Sequence, residues 1–430
     1  MSTDLAAEAP AVAPLRGSVV WFMALAAALG TSTIYPLQPA IADVAHSFDS
    51  SITAVGMALA FGPVGYMFGL GLLVPLVDRC SPRRVLGIQF GVLSLALGLT
   101  AVISNLLVLG LLIGVVGACS VVGAGLSSVA GRLAPTHRRG TVLGIVTAGI
   151  SVGILAGRIV GGWLAEEIGW RNMVLVFAAA CAIVAVCSVL ALPAARGTST
   201  RGYLATLRSL PGLLVRDTVL RLAGARGALW FFAFCAVWAG LAAALSEPPY
   251  AYSAAQIGLF ALAGLSGILA AQAAGAWTDR VGARRVILVG LAVAGASATA
   301  LTFALPSTIA TLACLALFDA GLFAAQVANQ STVLAIDPAA PARYNSTYML
   351  VYFIGGSLGT AFGAAAVELV GWSATVVVTA VAIAVAALIT LSTGAARPGP
   401  ATSSPSNQVS PGSESRGRGC LFQRNRSTAL

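Results

Sequence analysis

The sequence has no lysine, only two histidines and few charges of any kind: 9% of its 430 residues are charged and 58% are hydrophobic. A soluble globule carries roughly 25% charged residues on its surface, so a water-soluble chain is excluded and a membrane protein is expected. His46 and His137 fall near loop positions on opposite sides of that membrane, which leaves no catalytic triad and no histidine metal site. No Gly-x-x-x-x-Gly-Lys-Ser/Thr loop is present, so ATP is not expected to drive the protein. Cys80, Cys119, Cys181, Cys187, Cys235, Cys314 and Cys420 are an odd number without a disulfide frame or metal-ligand spacing. The expectation is a chain that is not an enzyme, with no cofactor and no metal. The first seventeen residues are polar and hold two acids, unlike the basic start and small-residue cleavage site of a signal peptide, so the first apolar run is expected to stay.

What is present is a series of apolar runs. A hydrocarbon core of about 30 Å takes roughly 20 helical residues to cross. Runs of that kind are drawn at 18–40, 52–74, 84–104, 106–130, 140–163, 170–192, 227–246, 255–276, 285–305, 307–333, 345–367 and 371–392. Helices satisfy their own backbone in lipid, and the short alternating segments of a membrane barrel are missing. The expected fold class is an all-α membrane protein with twelve transmembrane helices. All 24 basic residues are arginines, and with the N-terminus inside, 22 of them fall in the N-terminal segment, the inner loops or the C-terminal tail. Arg158 and Arg171 are the exceptions. That bias follows the positive-inside rule and puts both termini in the cytoplasm of a cell membrane. The lysine-free, Ala/Gly/Arg-rich composition suggests a bacterial source. Asp43, Asp49, Glu166, Glu167, Glu247 and Glu368 fall on the other side. The net charge of +10 therefore belongs to topology and membrane lipid. Nucleic acid, which needs arginines clustered on one folded face, is not an expected partner.

One basic segment occurs twice: Asp78-Arg79-Cys80-Ser81-Pro82-Arg83-Arg84 and, 201 residues later, Asp279-Arg280-Val281-Gly282-Ala283-Arg284-Arg285. A second block repeats with it. Gly157, Gly161, Glu166, Gly169 and Trp170 return as Gly359, Gly363, Glu368, Gly371 and Trp372, each 202 residues on. Two parallel six-helix repeats follow, related by an axis along the membrane normal, with a substrate site near the midplane between them. The expected organisation is an N-terminal cytoplasmic segment (1–17), a six-helix bundle (18–192), a cytoplasmic linker (193–226), a second bundle (227–392) and a tail (393–430). The linker carries six arginines against Asp217. The Pro/Ser/Gly/Arg composition of the tail cannot bury a core and reads as disorder.

On these residues the chain resembles the major facilitator superfamily over about 18–392. The loop Gly275-x-x-x-Asp279-Arg280-x-Gly282-x-Arg284-Arg285 resembles the family signature between the second and third helices of each half, with one extra residue before the paired arginines. The first copy has Val74 and Ser81 where glycines are usual. The fifth run, with Gly149, Gly153, Gly157, Arg158, Gly161 and Gly162, is similar to the glycine-rich antiporter motif of drug exporters, with Arg158 in place of its proline. The fourth run lacks the arginine that exporters usually carry there. The resemblance implies two halves that rock about a central path lined in part by the tenth helix.

Asp78 and Asp279, with Arg79, Arg83, Arg84, Gly275, Arg280, Gly282, Arg284 and Arg285, are the expected gate; the alternative is that these arginines only anchor the loops inside. Asp319 lies mid-span with no charged residue within fifteen positions on either side, and an intramembrane acid is a functional-site candidate. Burial of an unpaired carboxyl favours its protonated form, which suits a proton carrier. Gln326 and Gln330 follow Asp319 at helical spacing, and the stripe is expected to face the cavity. Arg158, five residues before the expected outer end of its helix, is expected to turn inward, with Asp319 or a substrate carboxylate as partner; its repeat mate is the neutral Thr360. Tyr35 and Gln38 are further candidate substrate contacts, as are Trp230 and Trp238, which share a helix face with Phe234. The glycines of the fifth run are read as helix packing. The leading expectation is proton-coupled efflux of a small organic molecule, a drug or metabolite, by a monomer. Uptake or exchange of a polar or anionic nutrient, and a receptor or scaffold that transports nothing, are the alternatives.

Overall fold

The computed structural model describes residues 17–77, 79–134, 138–192, 212–337 and 341–392. Asp78, the segment 1–16, linker residues 193–211 and the tail 393–430 lie outside the described residues. The described chain is helical, in the order α1 Gly17–Ser32, α2 Ile52–Val77, α3 Pro82–Val102, α4 Leu106–Gly131, α5 Arg139–Ile168, α6 Trp170–Ala191, α7 Thr218–Ser246, α8 Ala254–Val281, α9 Ala283–Ala304 and α10 Thr308–Leu334. A final run, Pro341–Ser392, breaks at Gly371 (φ 83°, ψ 168°) into α11 (341–370) and α12 (372–392). Polar side chains start several helices. Asn105, Asp217, Ser253 and Ser307 each accept a backbone N–H of the first turn, which satisfies donors that have no partner inside the helix. Large apolar side chains such as Ile88, Val102, Phe303 and Ile309 expose 67–81% of their surface, a distribution suited to hydrocarbon and costly in water.

The two halves repeat their packing. α1 lies on α5 and α7 on α11, α3 on α6 and α9 on α12, α2 on α4 and α8 on α10. Glycine sets the closest of these contacts. A Cβ at Gly149, Gly153, Gly157 or Gly161 would collide with the backbone of Ala24, Ala28, Ser32 or Pro36 along α1 and its extension. Gly355, Gly359 and Gly363 sit in the same way on Ala228, Phe232 and Ala236 of α7. Each ladder lets backbone rest on backbone at four-residue intervals, the small-residue route to helix association in lipid. Gly157→Leu is expected to cost about 1–3 kcal/mol by overpacking, seen as a lower thermal midpoint in detergent. Gly144→Ala, where the new Cβ meets open space, is expected to leave that midpoint unchanged.

Three one-residue joints depend on glycine. Gly169 (φ 80°, ψ 150°) links α5 to α6, Gly282 (φ 86°, ψ 146°) links α8 to α9, and Gly371 links α11 to α12. This backbone region is essentially closed to residues with a Cβ. Ser81, the counterpart of Gly282, has φ −61° and stands just before Pro82 at the start of α3. The two copies of the basic loop therefore turn differently.

Two boundaries differ from the sequence expectation. α7 starts at Thr218, nine residues before the expected 227, so Arg221 and Arg226 are helical rather than part of a linker. Arg226 is only 5% exposed and donates from Nε to Asn329 Oδ1 at 2.6 Å. A partner on α10 is what lets that charge sit inside. α5 runs on to Ile168, which puts Arg158 ten residues from the helix end instead of five, about 15 Å deep at 1.5 Å per residue.

Candidate functional site

A cavity of about 200 Å³ lies where the halves meet. Tyr35 and Gln38 beyond α1, Tyr66 of α2 and Arg158 of α5 wall it from the first half, and Phe231, Phe234, Cys235, Phe323, Tyr352, Phe353 and Thr360 wall it from the second. The rings pack on one another. Phe231 stacks on Tyr352 with centroids 4.0 Å apart, and Tyr66 meets Phe353 across the halves at 4.6 Å. Arg158 and its repeat mate Thr360 both face this space, so the repeat is broken by a charge at the cavity wall.

Arg158 is 5% exposed. Its Nε donates to Gln38 Oε1 at 2.9 Å, and its guanidinium lies 4.3 Å from the Trp238 ring centroid and 4.8 Å from that of Tyr35. Aromatic faces attract a cation electrostatically, more strongly when both are out of water. Arg171, the other exception to the inside bias, has a structural use: its Nη1 donates to the carbonyls of Ala101 and Ile103 at the end of α3.

Asp319 is 1% exposed and accepts the indole N–H of Trp238 at Oδ1, 3.3 Å away. Trp238 therefore stands between acid and base, with its face to Arg158 and its N–H to Asp319, where a direct Arg158–Asp319 pair was one expectation. The stripe Asp319, Gln326 and Gln330 shares a helix face with Phe323, which lines the cavity, but the polar side chains themselves are taken up by α7 and α11. Gln326 Oε1 accepts from Trp230 Nε1 (3.3 Å) and Tyr348 Oη (2.6 Å), and Gln330 Nε2 donates to Asn345 (2.9 Å). Trp230, 1% exposed, packs there as well, so Phe234 is the member of its aromatic face that reaches the cavity. The sequence reading missed Phe231, Tyr352, Phe353, Phe323 and Tyr66. The one available signal was the spacing of Tyr348 and Tyr352 by one helical turn.

On the acid-bearing face, the residues shared by the two repeats form a pair of crossed contacts. Glu166 at the end of α5 accepts from Ser253 Oγ and from the Ala255 N–H (3.1 Å) at the start of α8. Glu368 at the end of α11 accepts from the Thr53 N–H (2.8 Å) at the start of α2. Glu166 and Glu368, like Thr53 and Ala255, are 202 residues apart. Each half thus offers one carboxylate to a helix N-terminus of the other, where the helix dipole favours negative charge. Just inside these clasps Gly162 meets the Ala254 carbonyl, Gly258 the Arg158 carbonyl and Gly56 the Ala364 side chain.

The duplicated loops lie at the opposite face. Asp279, Arg280, Arg284 and Arg285 are exposed. Arg284 donates from Nη2 to Leu391 O (2.9 Å) and from Nε to Thr390 O (3.3 Å), which ties α9 to the end of α12 in its own half. Gly275 faces open space. Arg79, Arg83 and Arg84 border a separate surface cavity of about 510 Å³.

The same architecture recurs in solved transporters. The nucleoside transporter NupG superposes with a TM-score of 0.73 at 14% identity, over 87% of this chain and 99% of its own. A bacterial homolog of the human lysosomal transporter Spinster, inward-facing and unoccupied, gives 0.71 at 16% identity over 87% and 95%. In sequence, the uncharacterized transporter YgaY of Escherichia coli is 30% identical over 84% of this chain and 91% of its own length. A probable transporter of Streptomyces coelicolor is 31% identical over 81% of each. Residues 20–247 and again 229–426 match the Major Facilitator Superfamily, one match for each half of the duplicated fold. With both halves matched, and with the packing of one bundle repeated in the other, the chain belongs to the Major Facilitator Superfamily of membrane transporters.

Proposed function

We propose that the protein is a proton-coupled carrier of a small organic molecule, with Asp319 taking the proton and Arg158 holding the cargo as the two halves rock in turn. The observation that carries this reading is the run Gln38, Arg158, Trp238, Asp319 beside the cavity. Arg158 belongs to one half and Asp319 to the other. A proton on Asp319 removes the charge that the Trp238 N–H and the Arg158 guanidinium face, and so alters how firmly the halves dock. The clasps at Glu166 and Glu368 close the acid-bearing face in this cycle, and the arginine-rich loops gate the other. We take the arginine-rich face as cytoplasmic, with both termini on it. We take the working unit to be a monomer in lipid.

The glycine-rich fifth helix was the ground for expecting efflux. Its glycines seat α5 on α1, a use that does not set direction. Arg158 on the cavity wall favours the second reading, uptake or exchange of an anion. Liposomes holding the purified protein and an internal pH dye test the proposal against a panel of small organic compounds. At least one compound is expected to move protons only in vesicles that contain the protein. Transport of a compound at a rate indifferent to an imposed pH gradient would remove the proton from the mechanism.

A further inference from the structure

We infer that the cargo is a small planar organic monoanion, bound by its carboxylate to Arg158 and by its ring to the aromatic wall, and that it crosses together with one proton. This deepens the transport reading above and rests on it. Four observations meet at the cavity. First, Arg158 is the one charged residue on its wall among the described residues. Gln38 takes the Nε–H, and the two Nη groups have no hydrogen-bond acceptor among the described residues. The guanidinium of a residue only 5% exposed, held in that way, is a fork for a carboxylate, which it can grip with two parallel hydrogen bonds. Second, the nearest acid does not face the cargo. Trp238 covers Asp319 on that side, so a cationic ligand would meet the guanidinium before it met the carboxylate. Third, Phe231, Phe234, Tyr352 and Phe353 form a continuous aromatic surface. Fourth, about 200 Å³ falls below the roughly 300–1,000 Å³ of pockets that take drug-sized ligands.

The charges then link anion to proton. Asp319 is met by Trp238 of α7, by Gly264 of α8 at Oδ2 and, through Trp238, by Arg158 of α5. Besides Arg158, the titratable groups on the cavity wall are Tyr35, Tyr66, Cys235 and Tyr352. With Asp319 ionised, the two buried charges offset each other. When a proton adds to its carboxylate oxygen, Arg158 is left uncompensated and an arriving carboxylate restores neutrality. Proton and anion therefore strengthen each other's binding, and linkage makes the effect reciprocal. The loaded carrier moves no net charge.

Benzoate, benzamide and benzamidine share a ring and differ in charge, which makes them suitable probes for binding to the purified full-length protein by thermal shift and intrinsic fluorescence. Benzoate is expected to bind, more tightly in acid than in mildly alkaline buffer, and benzamidine is expected not to. Arg158→Gln should weaken benzoate at least about thirtyfold, the lower end for truncating one partner of a buried charge pair, and Arg158→Lys should retain measurable binding. Asp319→Asn should bind benzoate with an affinity that no longer changes with pH. Benzamidine bound as tightly as benzoate, benzoate unaffected by Arg158→Gln, or no binding of benzoate, salicylate or nicotinate would each overturn the assignment. Proton flux separates this proposal from the one beneath it. Benzoate bound without proton movement leaves the cargo class standing and removes the transport mechanism, whereas proton movement driven by benzamidine does the reverse.

Discussion

Asp319→Asn is expected to abolish accumulation against a gradient while exchange of cargo down its gradient continues. Asparagine keeps the oxygen that accepts the Trp238 N–H, so the local packing survives, but it cannot release a proton. A single coupled proton supplies about 1.4 kcal/mol per pH unit, enough for about tenfold accumulation across one unit. The wild-type ratio should rise with the imposed pH difference and the variant ratio should stay near one. The measurement is uptake of labelled cargo into liposomes at a series of pH gradients. A variant that still accumulates cargo in proportion to the gradient rules Asp319 out as the coupling group.

Removing both clasps, as Glu166→Ala with Glu368→Ala, is expected to open the acid-bearing face. Each carboxylate is exposed, so its interaction with a helix N-terminus is worth about 1 kcal/mol rather than the larger value of a buried site. Together they contribute about 2 kcal/mol, about thirtyfold in the balance between closed and open forms. Cys235 reports on that balance because it lines the cavity. With the other six cysteines replaced, a membrane-impermeant maleimide added from the acid-bearing side should label Cys235 about thirtyfold faster in the double variant. Each single variant should show an intermediate rate, since the contacts are far enough apart to add. Equal labelling rates in wild type and double variant would show that the clasps do not hold the gate.

The spans and the repeat were legible because both are one-dimensional: length of apolar run and constant offset survive without any knowledge of helix rotation. The pairs Glu166 and Glu368, Gly157 and Gly359, were visible for that reason, although their use as clasp and ladder was not. What failed was the inference from charge to loop. Arg226 reads as the end of a linker because its partner, Asn329, lies 103 residues away, and nothing local signals it. The stripe on α10 failed in another way. The helical period correctly put Asp319, Gln326 and Gln330 on one face, but a period does not say which partner takes up each side chain, and polar groups of α7 and α11 hold both glutamines. Phe323, one turn from Asp319 on the same face, is the side chain that reaches the cavity from α10. Arg158 was identifiable because it broke the repeat, and Trp238 was found as an aromatic but not as the bridge to Asp319.

The glycine ladders set where the molecule can deform. Backbone seated on backbone at Ala24, Ala28 and Ser32, and again at Ala228, Phe232 and Ala236, leaves no side-chain layer to shear between α1 and α5 or between α7 and α11. Each half therefore behaves as a stiff lever, and strain that enters at one face must travel whole to the other. Spin labels on α1 and α5 should keep their separation through the transport cycle, while labels on α5 and α8 should not. A carrier built this way is expected to yield along the thin seam that holds Arg158, Trp238 and Asp319, where two buried side chains of opposite charge come from opposite halves.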